Sequence, residues 1–313
     1  MSRTIGKNDS ENEKVESINN YRDLFKPLVR KPPTIESALD QLYESMELED
    51  PETQRNIVIS ECKKYVEKNF EKIKNVHPNV TEEEALVIAI YSYEDSKSKL
   101  SPYRVLNTNL VSNDRKNGIK KVTEYCFLLL KSIRNLTPFK MDGKLLFRGL
   151  RVKVNQIQSD NPNYVPYQKG NVKTFWGFTS TSLDNSGTFL GRKGDSGFKS
   201  GTIFTITGDV VGYDISPFSM YDEQEILMEP ERQVKINTMV EINDIVNISC
   251  QVLNTPLVLG DLIRSRNQKG DEIRVENKKS EKLNSINVIN ERNNDGNQIN
   301  DAQRKSQKNE SGM

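Results

Sequence analysis

Lys144-Leu145-Leu146-Phe147-Arg148-Gly149-Leu150 is where the chain stops reading as helix and begins to read as sheet. Working outward, Thr174 to Phe178 and Thr202-Ile203-Phe204-Thr205-Ile206 are short apolar runs of the same kind, followed by Glu225 to Met228, Val234 to Val240 and Ile248 to Leu253. Runs of this length rich in β-branched and aromatic residues predict strands. They come without long helices between them, so the expected class is α+β with a largely antiparallel sheet assembly. No GxGxxG follows a strand and no Walker-type loop occurs, so neither a Rossmann nor a P-loop reading finds support.

Before Pro138 the period is helical. Ile57, Val58, Cys62, Tyr65, Val66, Phe70 and Ile73 recur at spacings of three and four and predict one apolar face. Thr81 followed by Glu84 is a capping box in front of Ala85-Leu86-Val87-Ile88-Ala89-Ile90-Tyr91, which predicts a buried helix starting there. A further helix is expected from Gly118 to Leu136, with Ile119, Val122, Cys126, Leu129 and Ile133 inward. The expected organisation is a disordered N-terminus over 1–20, a helical segment over 21–140, a sheet core over 141–262 and a polar tail over 263–313. The two ends hold too few apolar side chains to offset their ordering entropy.

Composition narrows the function classes. Lys plus Arg (45) nearly cancels Asp plus Glu (44), so no global basic field favours nucleic acid or an anionic membrane. No apolar run approaches the roughly 18 residues of a membrane span, and the first twenty residues lack the apolar stretch of a signal peptide. Cys62, Cys126 and Cys250 are far apart and show no zinc-ligand spacing. These features together predict a cytoplasmic protein without a structural metal. His77 is the sole histidine, in the turn-like Asn75-Val76-His77-Pro78-Asn79, and is expected to be a surface turn residue. Catalysis therefore rests on carboxylates and electrostatics.

Glu223-Gln224-Glu225 is the carboxylate pair in a chemical context. It follows Gly212-Tyr213-Asp214-Ile215-Ser216-Pro217-Phe218-Ser219-Met220-Tyr221, and upstream lie Phe147-Arg148-Gly149 and Phe178-Thr179-Ser180-Thr181-Ser182. Alternate residues of a strand share a face, so extended backbone here would put Glu223 and Glu225 on one side. Two carboxylates with an arginine and a serine from neighbouring strands suit a substrate that carries phosphates and develops a cation. Trp176, Phe175 and Phe178 are expected in the core.

These residues, in this order, resemble the R-S-E class of mono-ADP-ribosyltransferases, the arginine-specific group that includes vertebrate-type and cholera-toxin-like members. Arg148, Ser180-Thr181-Ser182 and Glu223-Gln224-Glu225 match its three motifs, and Asp214 to Tyr221 is similar to the loop before the glutamates in vertebrate-type members. The resemblance covers residues 140 to 240, extends to the helices from about 80, and is absent from both ends. It implies a helical segment packed on a mostly antiparallel two-sheet core and the transfer of ADP-ribose from NAD to an arginine of a protein.

By the same resemblance Glu225 is the catalytic glutamate, bonding the ribose 2′-hydroxyl and stabilising an oxocarbenium-like centre. Arg148 anchors a phosphate or ribose oxygen of NAD, Gly149 offers its backbone to the nicotinamide amide, and Ser180 holds Glu225. Glu223 orients the target guanidinium and accepts its proton. Phe189, in the glycine-rich stretch Gly187 to Gly201, is placed against nicotinamide, and Tyr213, Phe218 and Tyr221 form an aromatic ledge for the target protein. The alternatives are an NAD glycohydrolase using the same site and a non-catalytic interaction protein that retains the fold. The extracellular vertebrate members carry a signal sequence and paired cysteines, which these residues do not show, so their compartment is not carried over as an expectation.

Overall fold

A computed structural model describes residues 24–46, 50–94, 101–112, 114–157, 165–184, 200–209, 212–221 and 224–253. The expected disordered ends, 1–20 and 263–313, lie outside these residues. The class is α+β, with helices first and two sheets after them.

The helical part comprises α1 (residues 24–30), α2 (Ile35–Glu44), α3 (Pro51–Val76), α4 (Glu82–Ser92), α5 (Pro102–Leu110) and α6 (Arg115–Ile133). Their starts are chemically marked. The side chains of Thr34, Asp50, Thr81 and Asp114 each accept a backbone N–H of the first turn, and Pro51 and Pro102 sit at first helical positions. The capping box forms as expected, with the Thr81 side chain accepting the Glu84 amide at 3.2 Å and the Glu84 carboxylate accepting the Thr81 amide at 3.0 Å.

Helix α4 is apolar on most of its circumference because α3, α5 and α6 all pack against it. Helix α6 buries Ile119, Val122, Cys126, Leu129 and Ile133 along the expected stripe. Helix α3 buries Val58, Cys62, Val66 and Ile73, whereas Ile57 is 43% exposed. One residue is 100° of rotation, and the contact face of α3 is too narrow to include both Ile57 and Val58.

The strands are β1 (Pro138–Phe139), β2 (Leu146–Leu150), β3 (Val172–Phe175), β4 (Thr179–Thr181), β5 (Gly201–Thr207), β6 (Gly212–Asp214), β7 (Ile226–Met228), β8 (Arg232–Ile242) and β9 (Ile245–Val252). One sheet has the order β1-β6-β7-β4 and the other β2-β5-β9-β8-β3. All pairings are antiparallel except β5 with β9. The run expected as one strand from Thr174 to Phe178 divides: β3 ends at Phe175, and β4 begins at Thr179 in the other sheet. Phe204 and Ile206 of β5, and Val246, Ile248, Cys250 and Val252 of β9, alternate into a shared core with Leu146, Ile226, Met228, Val234 and Ile236. Phe178 is buried in keeping with its expected core role, while Phe175 and Trp176 are only half-buried.

A buried ion pair ties the helices to the first sheet. Arg134, capping α6, donates from Nε (3.0 Å) and Nη2 (2.7 Å) to Glu229 just after β7, and the Tyr213 hydroxyl donates to the same carboxylate at 3.1 Å. Burial pushes the Glu229 carboxyl up, but Arg134, Arg232 and Tyr213 outweigh it and hold it below the ordinary range. Replacing one partner of such a pair leaves a charge stranded and costs about 3–5 kcal/mol.

All three cysteines are free and buried. Burial pushes their thiols up, that of Cys250 to about 12, so none is a thiolate nucleophile near neutrality. No described helix is long and apolar enough to cross a membrane.

Candidate active site at the seam of the two sheets

Strand β4 is the edge of one sheet and β2 the edge of the other. They are stitched together where Phe147 N–H donates to the Ser182 carbonyl and Ser182 N–H to the Phe147 carbonyl, both at 2.8 Å. This seam carries Arg148 beside Ser180: the guanidinium Nη1 donates to the Ser180 carbonyl at 3.1 Å. Gly149 follows, half-buried and opposite Ile203. Strand β4 pairs in turn with β7, Thr181 opposite Ile226, and the Thr181 hydroxyl donates to the Ile226 carbonyl at 2.7 Å. Glu225 therefore enters the same seam from the first residue before β7.

The backbone of Glu225 is fixed on both sides. Its N–H donates to Ser216 Oγ at 2.9 Å, and its carbonyl accepts the Ile215 amide at 2.9 Å. Both partners lie in the segment that connects β6 to Glu225, which includes a 3-10 turn at Ser216–Phe218.

Tyr91, near the end of α4, is the hub that sequence reading assigned only to a buried helix. It is 2% exposed. Its phenolic oxygen accepts Asn107 Nδ2 from α5 at 3.3 Å and lies close to Ser180, Arg148 and Glu225. Its ring packs on Phe178 (centroids 5.8 Å apart) and Tyr103 (6.2 Å). Burial pushes the Tyr91 hydroxyl up and the Glu225 carboxylate adds to this, against Ser180, Asn107 and Arg148. Burial also lowers the Arg148 guanidinium from its ordinary value, opposed by Tyr91, Tyr167 and Glu225. An arginine so placed still stays charged. The result is a half-buried cation, a carboxylate and two neighbouring hydroxyls in one electrostatic unit. Asn107 lies under Gly177, where a Cβ would stand 2.6 Å from its Oδ1. The only signal for Tyr91 and Asn107 in the sequence was a polar atom on an otherwise apolar helix face, which a core tyrosine shows equally.

Other expected site residues fall elsewhere. Phe218 is fully buried and Tyr213 is 4% exposed, so these two do not form a ledge for a target. Phe218 stacks on His77 and Tyr213 serves the Glu229 carboxylate, and the turn at Ser216–Phe218 packs on α3 and α4. Tyr221 is half-buried, its hydroxyl donating to the Glu94 carbonyl at 2.6 Å. His77 does lie in a turn, yet it is 1% exposed rather than on the surface. The turn between α3 and α4 closes onto Asp214 and Thr137, and the ring fills that space. Glu223 and Phe189 lie outside the described residues. Among the described residues no group of three or more His, Cys, Asp or Glu could hold a metal ion.

No family model matches the chain, and no curated protein does. Among solved structures it is similar to the ADP-ribosyltransferase toxin Vis of Vibrio splendidus, at 18% identity and a TM-score of 0.43, over 64% of this chain and 88% of that one. It is similar also to the ADP-ribosyltransferase HopU1 of Pseudomonas syringae pv. tomato (17%, 0.46, over 61% and 86%). A third is the type III effector XopAI of Xanthomonas axonopodis pv. citri (14%, 0.48, over 76% and 92%).

Proposed function

We propose that the chain is a mono-ADP-ribosyltransferase that moves ADP-ribose from NAD to an arginine side chain of a protein and releases nicotinamide. The observation that carries this reading is the convergence of Arg148, Ser180 and Glu225 on one seam around the Tyr91 hydroxyl. These are the arginine, serine and glutamate whose order in the sequence resembles the R-S-E class.

The chemistry follows from the residues. Cleavage of the nicotinamide–ribose bond leaves positive charge on the ribose, and a fixed carboxylate such as Glu225 stabilises it more in the transition state than in the ground state. Arg148 supplies a cation for the phosphates of NAD, and Gly149 offers a backbone edge beside it. Ser180, whose carbonyl accepts from Arg148 and which lies close to Tyr91, gives the carboxylate a hydroxyl neighbour. Glu223, two residues before Glu225, orients the acceptor guanidinium and takes its proton.

Incubating the protein with labelled NAD and agmatine, beside a control lacking acceptor, tests the reading. Label on agmatine is the expected result. Free ADP-ribose alone makes the protein a glycohydrolase, and unchanged NAD overturns the enzymatic reading.

A further inference from the structure

The carbonyls of Asp214, Pro217 and Ser219, in and just beyond β6, meet side chains of α3. Tyr65 places its hydroxyl 2.6 Å from the Ser219 carbonyl and 3.1 Å from that of Pro217. His77, the C-cap of the same helix, has Nε2 2.7 Å from the Asp214 carbonyl. Its tautomer is determined by a second bond: the Thr137 amide donates to Nδ1 at 3.2 Å, so the proton sits on Nε2 and is donated to Asp214. The imidazole also stacks on Phe218, centroids 5.6 Å apart and planes 24° apart. Two side chains of one helix thus grip both ends of the 214–219 segment.

That grip reaches the site in a few bonds. The Asp214 carboxylate accepts the Ser216 amide (3.0 Å) and hydroxyl (2.6 Å), and the same Ser216 oxygen accepts the Glu225 amide at 2.9 Å. Next to it, the Ile215 amide donates to the Glu225 carbonyl. We infer that Tyr65 and His77 are positioning residues for Glu225, acting through the backbone of 214–219 and the Asp214–Ser216 bonds. The inference rests on the role proposed above for Glu225, and it makes α3 part of the catalytic apparatus. Losing one such hydrogen bond is expected to change the rate by about several-fold.

The test uses Tyr65→Phe, which removes one hydroxyl, with His77→Ala and His77→Gln, the glutamine keeping an N–H donor for the Asp214 carbonyl. NAD-cleavage kinetics and site-resolved amide hydrogen exchange are measured on each full-length variant. Tyr65→Phe and His77→Ala should lower kcat by about three- to tenfold with the KM for NAD within about twofold, and His77→Gln should recover most of the loss. The amides of Ile215 and Glu225 should exchange several-fold faster in the first two variants, with those of β5 unchanged. Wild-type exchange at Ile215 and Glu225 in both variants overturns the inference, as does an unchanged kcat. If His77→Ala does not fold, Tyr65→Phe decides by the same readouts. A wild-type protein that leaves NAD intact defeats the role of Glu225, and the exchange data then decide the grip on its own.

Discussion

Phe147 and Ser182 exchange both of their backbone hydrogen bonds, each 2.8 Å long, and thereby join the edge of one sheet to the edge of the other. Edge strands otherwise present unpaired N–H and C=O groups to any passing chain. Here the exposed edges satisfy one another, and the residues flanking the contact, Arg148 and Ser180, are brought into register with Glu225.

Glu225→Ala should abolish most turnover. Removing one preorganised stabiliser of transition-state charge costs on the order of 100-fold in kcat. Steady-state NAD cleavage measures it, with a thermal melt to show that the half-buried side chain was not needed for folding. Near-normal turnover would end the mechanism.

Glu223→Gln should separate the two half-reactions. Cleavage of NAD needs Glu225, whereas transfer needs a carboxylate to receive the guanidinium and its proton. The expected outcome is NAD cleavage within a few-fold of wild type and transfer to agmatine reduced at least about tenfold, by analogy with a removed acid–base group. Equal loss of both reactions would contradict the assigned role.

Tyr91→Phe removes one oxygen from a site where Asn107 donates to it and Ser180 lies close to it. The ring contacts with Phe178 and Tyr103 remain available. Leaving Asn107 Nδ2 without its acceptor should destabilise the fold by about 1–3 kcal/mol and lower kcat about tenfold, because the phenolic oxygen no longer sits beside Arg148 and Glu225. Chemical denaturation and steady-state kinetics on one preparation check both. A variant that loses stability but keeps kcat would make Tyr91 a packing residue only.

His77 makes stability depend on mild acid. Burial lowers its pKa below the ordinary 6.5, with the Asp214 carbonyl and carboxylate, the charged group facing it, pulling the other way. The neutral ring is the form the fold needs, since Nδ1 must accept from Thr137. A histidine with a lowered folded pKa contributes stability that is present above about pH 6.5 and lost as the pH falls through the folded value. Melting temperature measured from pH 7.5 down to 5 should fall more steeply for wild type than for His77→Gln. Parallel curves would remove His77 as the cause.

Much of the fold was legible locally. The capping box at Thr81 and Glu84 and the stripe from Ile119 to Ile133 each depend on neighbours within a turn or two, so a short window contains the whole signal. The same holds for the apolar runs that became β2, β5, β7, β8 and β9. Strands β1 and β6, two and three residues long, were too short to show a period.

Arg148, Ser180 and Glu225 could be named from their order in the chain, a one-dimensional property. Their meeting could not, because it depends on the break between Phe175 and Thr179 that sends β3 and β4 to different sheets. Tyr91 meets Ser180, His77 meets Asp214 and Tyr65 meets Ser219, across separations of about 90 to 150 residues. No local period records such contacts. Whether Phe218 looked outward to a target or inward to His77 was likewise open, since an aromatic residue suits either place. The sequence by itself determined which segments became helix and strand and which residue types were available for chemistry. Tertiary packing alone decided which of them share a site, because that choice depends on which distant surfaces bury one another.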